Sequence, residues 1–350
     1  MNQSVNESIN NMIKHDAALR NEHEGLRNRV GFYDFTHQLL EVTGSDAAAF
    51  LDKMFINTIA NINVGSAKYT TMLNENAEII DDVIVFRMAQ EKYWVSTLYI
   101  AEMIQWFDTH SAGQAVSYQD ITAETSMYAI QGPRSKDVLN AFLGESIDDL
   151  KFFTIVDNSI GEIPVKVARC GFTGELGYEI YISPEHKELL EEKLNQSGQE
   201  HGIVKMTTDV ILTSIPSEKG FVLMKDVTGI NPLEANYGWL VDWDTDFIGK
   251  AVLEQAKAEG VKRQLVGFTV EDAAAQVAEQ AVVKANGETA GKVTNFTYGF
   301  TVEKNIGYAL IDQNIAKIGD KVTIESEGKE IEATLTERCF YDIEAAILKA

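Results

Sequence analysis

The sequence predicts an α+β fold, and three observations carry that prediction. Runs with strand periodicity form a meander over residues 68–98. A strand, helix, strand, strand, helix succession follows between about residues 123 and 200, and from residue 263 onward only strand signals remain.

The elements follow in order. SDAAAFLDKMF (45–55) starts at a plausible cap, Ser45, and spaces Ala49, Leu51 or Phe50, and Met54 as a helix does. KYTTML and IIDDVIVFRM are strands around the polar loop NENAE, and AQEK turns the chain into YWVSTL. SMYAIQ is a strand, and PRSKDVLNAFLG is a helix with Pro133 in its first turn and Gly144 at its end. IPVKVARC, a glycine-containing loop, YEIYIS and the helix from Pro184 to Gly198 complete a ferredoxin-like unit. FIGKAVLEQAKAEG is a helix closed by Gly260. RQLVGFTV, QAVVKANGETAGKVTNF, NIGYALI and KVTIESEGKEIEATL, with an Asn286-Gly287 turn, predict a small antiparallel barrel. The polar lead MNQSVNESINNMIKHD receives no element.

A chain of 350 residues is expected to divide into two or three domains. Apolar residues make up 45% and charged residues 24%, the balance of a soluble globular protein, and no run approaches the roughly 20 apolar residues that span a bilayer. The lead lacks a basic start followed by an apolar block, so the expected location is cytoplasmic. Cys170 and Cys339 form no CxxC pair, which argues against a disulfide framework or a zinc site. The net charge of −23 argues against nucleic acid and anionic membrane surfaces as partners. Its plainest role is solubility.

Two stretches carry candidate chemistry. In EIIDDVIVF (78–86), strand alternation places Ile80, Asp82, Ile84 and Phe86 on one face and Ile79, Asp81, Val83, Val85 and Arg87 on the other. Asp82 has the more apolar neighbours, and a carboxylate held there must be hydrogen-bonded or partly neutralised. The alternative is a bulge or strand entry with both carboxylates at the rim. In RCGFTGELGYEIYI (169–182), Gly171, Gly174 and Gly177 recur every third residue before a strand that carries Glu179. Phosphate-binding glycines lie between a strand and a helix, so this loop is not a phosphate cradle. A fixed carboxylate instead suits two parallel N–H donors, as an amidine-like ring edge presents; the alternative is a hairpin loop whose glutamate pairs with a lysine.

Together with VGFYDFTH (30–37), YTTMLNENAEIIDDVIVFR (69–87), AIQGPRS (129–135), NPLEANYGWLVDWDTDFIGKAVL (231–253) and KVTNFTYGFTVEKNIGYAL (292–310), these stretches occur in the order found in one family. The chain resembles the folate-dependent aminomethyltransferases, the T-protein of the glycine cleavage system and its relatives, from about residue 25 to its end. The resemblance implies a three-domain cloverleaf around a central folate pocket. The implied division is a discontinuous folate-binding core of residues 1–122 plus 201–255, a ferredoxin-like domain of residues 123–200 and a barrel of residues 256–350. It implies tetrahydrofolate as cosubstrate, with Asp82 catalytic beside the nitrogen that accepts the one-carbon unit and Glu179 holding the donor edge of the pterin. Tyr69, Val83, Val85, Phe172 and Trp239 fall on positions that line or support the pocket. His37 and Tyr99 are weaker candidates for substrate contact. The implied partners are a small one-carbon donor and, in the glycine cleavage branch, a carrier protein.

The departures bear on the substrate. The family's N-A-A-N motif reads Ser96-Thr97-Leu98-Tyr99, its G-Y-T-G-E has Phe172 at the second place, and its A-R-D reads Thr207-Thr208-Asp209. The arginine past the carboxyl-terminal F-Y pair is absent, so folate binding is expected to be weakened at its glutamate end or met there by lysines such as Lys219 or Lys225. The family's lipoyl carrier is usually acidic, and so is this chain. These departures favour a demethylase-like paralogue that passes a methyl or aminomethyl group to tetrahydrofolate. The alternatives are an authentic glycine cleavage aminomethyltransferase or a non-catalytic folate-binding protein. The latter's K-G-C motif reads here Lys219-Gly220-Phe221.

Overall fold

The computed structural model describes residues 16–35 and 38–349. Two sheets face each other and a closed barrel sits beside them. The first sheet has five antiparallel strands in the order Ala67–Leu73, Ile79–Ala89, Lys92–Thr97, Gln38–Thr43, Ser117–Asp120. Its core is the predicted meander. The Asn74 side chain accepts from the backbone of Asn76 and Glu78 and so shapes the first loop.

The second sheet has six strands, ordered Val204–Lys205, Gly31–Asp34, Ser126–Gln131, Gly177–Ile182, Ile163–Ala168, Ile155–Ile160. It is larger than the predicted unit. Ile155–Ile160 is an additional edge strand, and Gly31–Asp34 and Val204–Lys205 join from outside residues 123–200.

Alternation assigns each strand face a partner. Leu39, Phe86 and Trp94 of the first sheet meet Tyr33, Met127, Ala129 and Tyr181 of the second in one inter-sheet core. The outer face of the first sheet, with Leu40, Val42, Val83 and Val85, is covered by the helices Ala47–Met54 and Ile100–His110. The outer face of the second is covered by Ser135–Asn140 and Lys187–Gly198. The barrel closes in the order Arg263–Val270, Lys304–Asp312, Glu288–Gly299, Val282–Ala285, Lys321–Ser326, Lys329–Thr336, all pairs antiparallel. The predicted Asn-Gly turn is present, with φ of 51° at Asn286 and 83° at Gly287, the left-handed pair a two-residue hairpin requires. The mixed α and β architecture with its antiparallel barrel is the predicted class.

A helix the sequence reading did not assign follows the polar lead. Ala17–Asn28 is capped by Asp16, whose side chain accepts from the backbone of Ala18 and Leu19, and it buries His23 and Arg27 beside Leu26. Arg27 donates to Glu175 at 2.8 Å and Glu218 at 3.1 Å, and also to the carbonyls of Thr173 and Ile215. His23 lies 2.8 Å from the Ser214 hydroxyl and 3.2 Å from Glu218. Glu218 in turn accepts from the backbone of Thr301 in the barrel. The backbone amides of Phe340 and Tyr341 donate to the Glu218 carbonyl, and the Tyr341 ring lies 4.8 Å from the Arg27 guanidinium. This ionic knot ties both ends of the described chain to the second sheet and the barrel.

Candidate active site

Asp81 and Asp82 stand where the Ile79–Ala89 strand begins, and the backbone there is irregular. Asp81 pairs with Met72 and Ile79 with Leu73, so Ile80 is a bulge residue without a partner. The bulge corrects the simple alternation. Ile80 packs on the helix-covered face with Val83 and Val85, and Ile79 joins a separate cluster around Tyr237 and Phe247. Beyond the bulge alternation resumes, and Asp82 shares the inter-sheet side with Ile84 and Phe86. A bulge is present, as the alternative reading expected, but the carboxylates are not both at the rim: Asp81 is buried and Asp82 half-buried.

Asp82 is half-buried and accepts from the Tyr69 hydroxyl at 2.7 Å. Tyr69 lies on the neighbouring strand, and its hydroxyl is 2.9 Å from that of Tyr237. With the Tyr69 proton committed to Asp82, Tyr237 is the donor of the second bond, giving a chain Tyr237 to Tyr69 to Asp82. Burial raises the Asp82 carboxyl to about 6, against the hydrogen bond from Tyr69 that stabilises its ionised form. Burial also raises Tyr237 to about 12, with the nearby Asp82 charge adding to it.

Asp81 is buried more deeply, at 1% exposure. Its Oδ1 accepts from the Asp82 amide at 2.9 Å and its Oδ2 from the Thr97 hydroxyl at 2.6 Å. Burial raises it to about 7, countered by the Thr97 hydrogen bond and reinforced by the adjacent Asp82 charge. It borders a cleft of about 360 Å³ lined by Met72, Tyr99, Glu102, Met103 and Trp106 among others.

Glu179 sits mid-strand between Ala129 and Ala168, whose small side chains leave room beside it. It is 4% exposed and accepts from the Tyr181 hydroxyl at 2.8 Å. The Cys170 thiol and the Tyr33 hydroxyl lie in the field of the same carboxylate, and burial first, then that charge, pushes both up. The Tyr181 ring packs edge-on against Phe86 at 6.0 Å. Phe86 and Asp82 are on one strand face, so Asp82 and Glu179 approach the same inter-sheet space from opposite sheets.

The three glycines before Glu179 serve packing. A Cβ on Gly171 or Gly177 would lie 2.1 Å from the side-chain oxygen of Gln131, a buried amide that accepts from Thr173 and donates to the carbonyls of Cys170 and Tyr178. Gly174, at φ +69°, lets the Lys219 side chain pass beneath. This wrapped loop carries Glu175 to Arg27.

Among the other predicted residues, Tyr99 lies in the field of both Asp81 and Asp82. Val83 and Val85 point to the opposite, helix-covered face. Phe172 packs against Phe221 at 5.6 Å, and Trp239 is 74% exposed. Tyr99 is partly exposed and lines the cleft on the Asp81 side. His37 lies outside the described residues. Lys219 is committed to Asp342 at 2.7 Å and Lys225 to Glu279, so both candidates for the missing arginine are already paired. Thr207, at the first place of the altered A-R-D motif, donates to Glu22. Sequence reasoning missed Tyr237, two residues before the tryptophan it favoured, and the Asp81–Thr97 pair. Among the described residues no group of acidic, histidine or cysteine side chains could hold a metal ion, and no helix is long and apolar enough to cross a membrane.

Comparison with known proteins settles the relationship. The GCVT N-terminal domain matches residues 9–245, and the glycine cleavage T-protein C-terminal barrel domain matches residues 263–342. The chain belongs to the glycine cleavage T-protein family. Within that family it is 32% identical over 334 residues to an aminomethyltransferase of Halalkalibacterium halodurans, and 33% identical over 336 residues to one of Bacillus cereus strain G9842. Each alignment covers 93% of this chain and 90% of the relative. The T-protein fold is shared with the crystal structure of glycine cleavage system aminomethyltransferase T from Bartonella henselae, at a TM-score of 0.83 and 24% identity over 93% of this chain and 90% of that one.

Proposed function

We propose that the protein is a tetrahydrofolate-dependent one-carbon transferase that moves a methyl or aminomethyl group from a small donor to tetrahydrofolate. The observation that carries this reading is the Tyr237–Tyr69–Asp82 chain, which ends in a half-buried carboxyl raised to about 6 beside the space that Glu179 faces. A carboxyl poised near neutrality can take or give a proton at the working pH. Reduced folate supplies the nucleophilic nitrogen that receives the one-carbon unit. The residues present fit it: Glu179 is a buried carboxylate suited to the pterin's paired N–H donors, and Asp82 is a half-buried carboxyl oriented by the Tyr69 hydroxyl. Asp82 manages the proton of the reacting amine, Tyr69 fixes its carboxyl, and the surrounding apolar side chains exclude water.

Two branches of the family remain to be separated. The names of the curated relatives favour aminomethyl transfer. The altered motifs at Ser96–Tyr99 and Thr207–Asp209, with Lys219 and Lys225 already paired, favour a demethylase-like donor. Purified protein incubated with tetrahydrofolate and either methylated or methoxylated small molecules or an aminomethylated carrier protein distinguishes them by which mixture yields methyl- or methylene-tetrahydrofolate. Asp82→Asn should lower transfer by about 100-fold or more while folate affinity stays within about threefold. Equal turnover in that variant overturns the assignment.

A further inference from the structure

Sheet pairing stops short at the acidic pair. The Ile79–Ala89 strand pairs with Lys92–Thr97 from Ala89 down to Ile84, which faces Ser96. The next rung would set Asp82 against Leu98. There the partner chain turns away into the helix Ile100–His110, so the Asp82 amide has no backbone acceptor on that side. A half-buried N–H without a partner is costly.

The Asp81 carboxylate fills the gap. Its Oδ1 takes the Asp82 amide at 2.9 Å, and its Oδ2 takes the Thr97 hydroxyl at 2.6 Å. Thr97 Oγ1 in turn accepts the amide of Tyr99 at 2.9 Å. The path from Asp82 N–H through Asp81 and Thr97 to Tyr99 N–H joins the two strands exactly where their backbone ladder has ended. It is a rung made of side chains. It lies immediately after the Ile80 bulge, where the backbone would otherwise be least constrained.

From this geometry we propose that Asp81 is the positioning residue of the site: with Thr97 it fixes the backbone of Asp82 so that the Asp82 carboxyl meets Tyr69. Its own carboxyl points to the helix-covered side and acts through Asp82. The proposal rests on the reading that Asp82 serves the transfer, and it makes a distinction that a charge-based role does not. What matters is an acceptor for the Asp82 amide and a link to Thr97, and asparagine supplies both: its oxygen accepts the amide and its NH₂ donates to the Thr97 hydroxyl. Leucine supplies neither.

The experiment compares Asp81→Asn, Asp81→Leu and Thr97→Val in the full chain by two readouts. Hydrogen exchange at the Asp82 amide is independent of activity. Protection should be retained in Asp81→Asn, reduced in Thr97→Val and lost in Asp81→Leu. In the transfer assay, Asp81→Leu should lower kcat by about 100-fold with KM for tetrahydrofolate changed less than about threefold, as displacement of a reacting group does. Asp81→Asn should stay within about threefold of the parent. Should Asp81→Leu fail to fold, Thr97→Val carries the test with an expected kcat loss of about tenfold. Unchanged kcat in a folded Asp81→Leu or Thr97→Val overturns the proposal. So does an Asp81→Asn as damaging as Asp81→Leu, or an Asp82 amide equally protected in all variants. A parent with no transfer activity but the predicted exchange pattern would instead overturn the proposed function and leave the side-chain rung standing.

Discussion

The Tyr69 hydroxyl donates to the Asp82 carboxylate at 2.7 Å from the adjacent strand, and it thereby holds down a carboxyl that burial pushes up to about 6. Removing that donor must move the carboxyl further up. If transfer requires ionised Asp82, kcat rises with pH through about 6 in the parent, and Tyr69→Phe shifts the midpoint higher. A pH–rate profile of both proteins measures the displacement. A midpoint that stays in place or falls contradicts the coupling.

Glu179 should matter to affinity more than to turnover. Replacement by glutamine keeps the shape and loses the charge, so hydrogen bonds to a charged acceptor worth about 1.5–3 kcal/mol are weakened. The dissociation constant for tetrahydrofolate, followed by calorimetric titration, is expected to rise by roughly 10- to 100-fold. A change below twofold removes Glu179 from the pterin site.

Asp81 has a signature of its own in stability. Its folded value of about 7 lies above the ordinary 3.8, so folding favours the protonated form. That contribution is complete at pH below about 4 and is lost as pH rises through 7. Asp81→Asn stays neutral throughout. Its stability relative to the parent should therefore improve between pH 4 and pH 8, by an amount on the order of a few kcal/mol. Urea denaturation at several pH values gives the comparison, and a difference independent of pH refutes the assignment.

Glu218 behaves in the opposite sense. Burial alone would raise it, but the hydrogen bond and charge of His23, the Arg27 charge and a hydrogen bond from the Thr301 side chain overcome that and hold it at about 2. Its stabilisation is present above pH 4.5 and lost as pH falls toward 2. Arg27→Met strands Glu175 and Glu218 as buried charges and should cost about 3–5 kcal/mol at neutral pH. The deficit, read from denaturant midpoints, should shrink in acid as the carboxyls protonate.

What the sequence disclosed and what it hid have physical reasons. Asp82 and Glu179 stood out as candidates because period-two alternation makes a carboxylate in an apolar strand conspicuous. The helix Ala17–Asn28 was not, because its buried face is His23, Leu26 and Arg27, and a search for apolar spacing passes over a face that is buried by ion pairing. Ile155–Ile160 escaped because an edge strand with only its end residues buried carries little alternation. Tyr237 was hidden by Trp239: the larger aromatic drew the assignment, but Asn236 adopts φ 61° there and it is the tyrosine that reaches the Tyr69 hydroxyl. A bulge at the paired carboxylates could be offered only as an alternative, since its place at Ile80 is a property of the pairing with Met72 and Leu73.

The ionic knot at Arg27 and Glu218 has a thermal consequence. The amino-terminal helix, the glycine-rich loop, the barrel and the carboxyl-terminal segment all converge on the same few charges, and none can leave without exposing the others' unpaired partners. Heating should therefore melt sheets and barrel together, as one heat-capacity peak in scanning calorimetry, although the chain is long enough for its parts to have come apart in steps.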